Sequence, residues 1–109
     1  MTDKIIVLST CATEADAERL ARALLAERLA ACVNVLPGVR SFYHWKGEIE
    51  SSQEFLLLVK TSRDLFPALR TEIERLHPYE LPEVIALPVV AGSDNYLTWL
   101  QANLRGASE

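Results

Sequence analysis

Four side chains in this sequence carry the softer donors that copper and zinc prefer, namely Cys11, Cys32, His44 and His77. No CxxC, HxxxH or HExxH spacing joins them, so a zinc motif is absent. His77 precedes Pro78-Tyr79-Glu80 at the end of a helical stretch. There it is a candidate metal ligand, or equally a cap on the last helical carbonyls, where an imidazolium suits the dipole. Cys32 follows Ala30-Ala31 at a helix-to-strand junction, and Cys11 lies just beyond the first strand. Each is either a soft ligand or a buried, inert thiol. Glu80 and Glu83 flank the same segment as Tyr79 and read as hard ligands, acid–base groups or a solvated loop. His44 falls on a hairpin, facing solvent or an interface.

Two cations and two aromatics complete the candidates. Arg28 falls on the apolar side near the end of the first helix, snorkelling to its rim or meeting an anion in a subunit cleft. Lys60 follows a buried run, as a strand-end charge or a second cleft residue. Tyr43 and Trp45 sit on the hairpin as candidate inter-subunit anchors. Enzyme chemistry has little support. The segment Ser9-Thr10-Cys11-Ala12-Thr13 has neither the glycines nor the arginine of a phosphate cradle, and no nucleophile elbow or P-loop is present.

The elements that must position these residues follow from periodicity. Lys4 to Thr10 is a β-branched run and predicts a strand. Thr13 offers an N-cap, Glu14 and Asp16 suit the first turn, and Ala17, Leu20, Ala21 and Leu24 form a helical stripe predicted to run to about residue 30. An extended segment from Cys32 is bent or bulged at Pro37-Gly38, resumes through Ser41–Trp45, turns at Lys46-Gly47 and returns to Phe55–Val59. Thr61 or Ser62 is predicted to cap a second helix bearing Leu65, Leu69, Ile73 and Leu76, with Pro67 near its regular start and Pro78 at its end. Val84 to Val90 predicts a fourth strand, placed at a sheet edge by Pro88. Ser93 or Asp94 then caps a short helix carrying Tyr96, Leu97, Trp99, Leu100 and Leu104.

The order β-α-β-β-α-β plus a terminal helix predicts an α+β, ferredoxin-like domain with an extended hairpin, spanning residues 1–109. A chain of 109 residues has room for one such domain. In that plan both helices cover one face of the sheet, yet Ile5–Leu8, Phe55–Val59 and Val84–Val90 are almost continuously apolar rather than alternating. The second face therefore needs cover, and a homo-oligomer is expected. A net charge of −4 and a pI near 5.2, with no basic block, speak against nucleic acid. No apolar stretch reaches the roughly 20 residues of a membrane span or resembles a signal peptide, so a cytoplasmic protein with free thiols is expected.

Ala30-Ala31-Cys32-Val33-Asn34-Val35, Pro37-Gly38, Ser41-Phe42-Tyr43-His44-Trp45-Lys46-Gly47, Lys60-Thr61, His77-Pro78-Tyr79-Glu80 with Pro82-Glu83, and Tyr96-Leu97 with Trp99 resemble the CutA family in order and spacing, from Ile5 to Leu104. The resemblance implies a trimer of ferredoxin-like subunits related in architecture to PII signalling proteins. It also implies divalent-cation tolerance, with copper bound in or near the cleft between subunits, no organic cofactor and no established enzymatic reaction. On this reading His77, Cys32, Cys11 and Glu80 are the metal candidates, while Arg28, Tyr43, Trp45, Lys60, Tyr79 and Glu83 are the cleft and interface candidates. Some relatives carry a cysteine where this chain has Ser9 and a histidine where it has Leu76. Weak copper binding dependent on His77 is therefore expected. A PII-like regulator of a small molecule or protein partner is the alternative, and a small ferredoxin-fold enzyme comes last.

Overall fold

The structure, a computed structural model, describes residues 2–106. Strand β1 (Lys4–Cys11) leads into helix α1 (Glu14–Ala26), whose start is capped by the Thr13 hydroxyl accepting from the Asp16 N–H at 3.1 Å. The helix ends four residues sooner than its apolar stripe suggests. Leu29 N–H donates to the Leu24 carbonyl and Arg28 N–H to the Leu25 carbonyl, each at 3.0 Å, with Arg28 in the left-handed region at φ 55°. That is a Schellman ending, closed by the apolar pair Leu24 and Leu29.

Strands β2 (Cys32–Trp45) and β3 (Glu48–Ser62) form the long hairpin. Lys46 and Gly47 both have positive φ, and Trp45 pairs with Glu48, as a two-residue type I′ turn requires. The register shifts between Leu36 and Val39, so Pro37 and Gly38 form a bulge, with Gly38 at φ 73°. A 3-10 turn (Arg63–Leu65) precedes helix α2 (Phe66–Leu76), which has Pro67 in its first turn. The expected cap at Thr61 or Ser62 does not form. The Thr61 hydroxyl donates to the Leu29 carbonyl at 2.7 Å instead, and Ser62 makes no side-chain cap bond.

Strand β4 (Ile85–Pro88) is shorter than the apolar run around it. The sheet is antiparallel throughout in the order β2-β3-β1-β4, which leaves β4, with its proline, on an edge. Helix α3 (Asp94–Ala102) is capped by Ser93. Ile5, Val7 and Cys11 of β1, with Leu57 and Val59 of β3, pack on Ala17, Leu20 and Leu24 of α1 and Leu69 and Ile73 of α2.

The opposite face bears Lys4, Ile6 and Leu8 of β1 and Leu56, Leu58 and Lys60 of β3, by strand alternation and register. Helix α3 covers one end of it. Gln101 accepts from the buried Lys4 ammonium at 2.6 Å, and the Lys60 ammonium donates to the Tyr96 hydroxyl at 3.3 Å. The continuous apolar runs lead one to expect two buried faces, but within one subunit Ile6, Leu8, Leu56 and Leu58 are only half-buried, and Ile85 and Leu87 are exposed.

Candidate functional site

The α2–β4 connection folds back on the foot of the hairpin through His77, the residue that ends α2. Arg19 of α1 donates to the Leu76 carbonyl at 3.0 Å and so ties the two helices together at this corner. A backbone N–H can only donate, and the Tyr79 N–H reaches His77 Nδ1 at 3.1 Å. Nδ1 is therefore the acceptor nitrogen, and Nε2 carries the proton that it donates to the Thr10 carbonyl at 2.7 Å. The two rings of His77 and Tyr79 lie 4.6 Å apart, tilted by 53°. The Tyr79 hydroxyl then donates to Glu54 at 2.5 Å, a short charge-assisted bond to a carboxylate that is itself buried at the bulge, opposite Val39. Burial, followed by this bond to Glu54, raises the Tyr79 phenol well above its ordinary range.

Cys11 approaches the same histidine, with Sγ 3.7 Å from Nε2. Its thiol is wholly buried and is pushed up to about 11, mainly by that burial and next by the Asp16 carboxylate. A resident copper ion does not fit this donor set. Ligation through Nε2 would move its proton to Nδ1, setting a ring N–H against the Tyr79 N–H and stripping the Thr10 carbonyl of its donor. Orphaning a buried hydrogen-bonding group costs roughly 1–3 kcal/mol. The thiol would have to ionise as well. Among the described residues no group of three or more His, Cys, Asp or Glu side chains is placed to hold a metal.

The metal candidates therefore separate in space. Cys11 and His77 come together, while Cys32 is half-buried at the start of β2 and Glu80 is exposed beyond Tyr79. Ser9 is fully buried, and its hydroxyl has no hydrogen-bond partner among the described residues. Of the cleft candidates, Arg28 lies outside α1, is exposed, and contributes its carbonyl to the Arg105 N–H at 2.9 Å. Lys60 lies on the open sheet face against Tyr96. Tyr43 and Trp45 are exposed along the hairpin, with Tyr43 bonded to Ser52 at 3.3 Å, and Glu83 is exposed. His44 is exposed too.

Sequence reading missed Glu54 and Arg19. A lone acid at the head of an apolar run, in Gln53-Glu54-Phe55-Leu56, was the signal for the first. Arg19 carries none, because its carbonyl partner is a backbone atom of another helix.

The profile of the family described as "CutA1 divalent ion tolerance protein" matches residues 5–103. The divalent-cation tolerance protein CutA of Thermus thermophilus is 50% identical over 98 residues, covering 90% of this chain and 95% of that protein. The crystal structure of CutA from Xylella fastidiosa superposes with a TM-score of 0.92 at 46% identity, over 94% of this chain and 99% of that one. A structure from Archaeoglobus fulgidus, titled a periplasmic divalent cation tolerance protein, gives 0.89 at 36% identity over 92% and 97% of the two chains. With the matching order of elements and the match over nearly all the described residues, the chain belongs to the CutA1 divalent ion tolerance family.

Proposed function

We propose that this protein serves divalent-cation tolerance as a cytoplasmic homotrimer whose cleft between subunits, not the interior of one subunit, meets the cation. The observation that carries this reading is the apolar surface one subunit leaves open. Ile49 is 75% exposed, Phe42 65%, Ile85 51% and Leu87 48%, along the hairpin arm and the β4 edge. Single exposed apolar side chains are ordinary, but a set spread along an arm and a sheet edge marks an interaction surface. Closed rings of identical subunits are the common way to cover one. Copper, the ion implied by the family resemblance, would be held weakly, since His77 and Cys11 are engaged inside the subunit. Two free cysteines, Cys11 and Cys32, suit a reducing compartment.

Size exclusion with light scattering at micromolar concentration tests the assembly. The expected mass is three times the 12.2 kDa chain. A soluble monomer would remove the reading. Lys60 supports a second reading, a regulator that binds a small anionic molecule. Lys60 is half-buried on the open face, its ammonium bonded to the Tyr96 hydroxyl where a neighbouring subunit would enclose it. Native mass spectrometry of untagged protein separates the two readings, since it shows either a retained metal or a retained small molecule.

A further inference from the structure

We infer that His77 is a positioning residue and not a cation ligand: it fastens the segment 77–84 to β1 so that Tyr79 closes over the buried Glu54 carboxylate. Three contacts converge on one ring. Nε2 donates to the Thr10 carbonyl at 2.7 Å, Nδ1 accepts from the Tyr79 N–H at 3.1 Å, and the ring lies 4.6 Å from that of Tyr79. Both nitrogens are spoken for, and the tautomer is dictated by a backbone donor that cannot reverse its role.

The neighbouring thiol is the strongest argument for the opposite assignment. A tetrahedral ion with sulfur at about 2.3 Å and nitrogen at about 2.0 Å holds these two atoms roughly 3.5 Å apart, and Cys11 Sγ and His77 Nε2 are 3.7 Å apart. Yet the pair finds no third donor among the described residues, and the thiol keeps its proton. The separation is that of a buried thiol resting against a histidine N–H. Glu54 gives the arrangement its purpose. A carboxylate with 6% of its residue surface exposed needs a donor, and Tyr79 reaches it only while the backbone at 77–79 stays pinned.

Long-range nitrogen–proton spectra of the ¹⁵N-labelled assembled protein test the assignment directly. His77 is expected as the Nε2–H tautomer, unchanged by a tenfold excess of Zn²⁺. Calorimetric titration with Cu²⁺ should give affinities within twofold for wild type and His77→Asn. Hydrogen exchange at the Tyr79 amide should quicken at least tenfold in His77→Ala. It should quicken less in His77→Asn, whose side-chain oxygen can replace Nδ1 as acceptor although its amide cannot reach the Thr10 carbonyl. A zinc-induced shift of either ring nitrogen, or a tenfold loss of Cu²⁺ affinity in His77→Asn, would overturn the assignment. So would equal loss of Tyr79 protection in both variants. Light scattering on the same samples reports subunit number, so failure of the trimer reading is seen separately.

Discussion

Cys11 has no exposed surface, and its thiol is pushed up from 9.0 to about 11, first by burial and then by the Asp16 carboxylate. The unfolded thiol loses its proton at lower pH than the folded one. Its contribution to stability is therefore complete below pH 9 and is lost as pH rises toward 11, by at most about 1.4 kcal/mol per pH unit for one proton. Urea unfolding of wild type and Cys11→Ala should show the stability difference between them shrinking across that window. A constant difference would mean that the thiol titrates normally. At pH 8, alkylation followed by peptide mapping should label half-buried Cys32 well before Cys11.

Among the elements, the end of α1 departs most from its apolar pattern, and a single backbone angle accounts for it. Arg28 occupies the left-handed position of a Schellman ending, a site that glycine takes without a Cβ penalty. Its side chain is exposed, so replacement removes no buried contact. Arg28→Gly should stabilise the subunit by roughly 0.5–1 kcal/mol, the relief of left-handed strain less the added freedom of the unfolded chain. Equilibrium urea unfolding monitored by circular dichroism measures this. A loss of stability would show that the guanidinium makes a contact in the assembled protein that outweighs the backbone strain.

For the whole molecule, shape points the same way as surface chemistry. The radius of gyration is 14.5 Å, against about 13 Å for a compact chain of 100 residues, and the long axis of 47 Å is about twice either of the others. A two-stranded arm built from β2 and β3 is marginal in isolation and needs something packed against it. Trp45 sits at the arm's tip, 39% exposed, with the Lys46 ammonium 6.0 Å from its ring centroid. Trp45→Ala should therefore weaken assembly by about 2 kcal/mol or more while leaving the subunit's helical signal unchanged. Dilution series by mass photometry read the dissociation. Full assembly retained at nanomolar concentration would show that Trp45 anchors nothing.

The order of the elements, a tight turn at Lys46-Gly47, a bend or bulge at Pro37-Gly38 and the edge placement of the strand containing Pro88 were legible in the residues alone. Each is written in local chemistry: strand and helix periods, positive φ, and the missing proline donor. The sequence also drew attention to His77, Tyr79 and Cys11, because those side-chain types are scarce in this chain. What His77 touches is visible only in the folded chain. Its partners are the carbonyl of Thr10, 67 residues away, and the amide of Tyr79, two residues on. Main-chain atoms have no residue signature, so no reading of side-chain spacing distinguishes a ligand from a fastener. Glu54 stayed hidden for the related reason that its donor, Tyr79, lies 25 residues away across the turn that His77 holds in place.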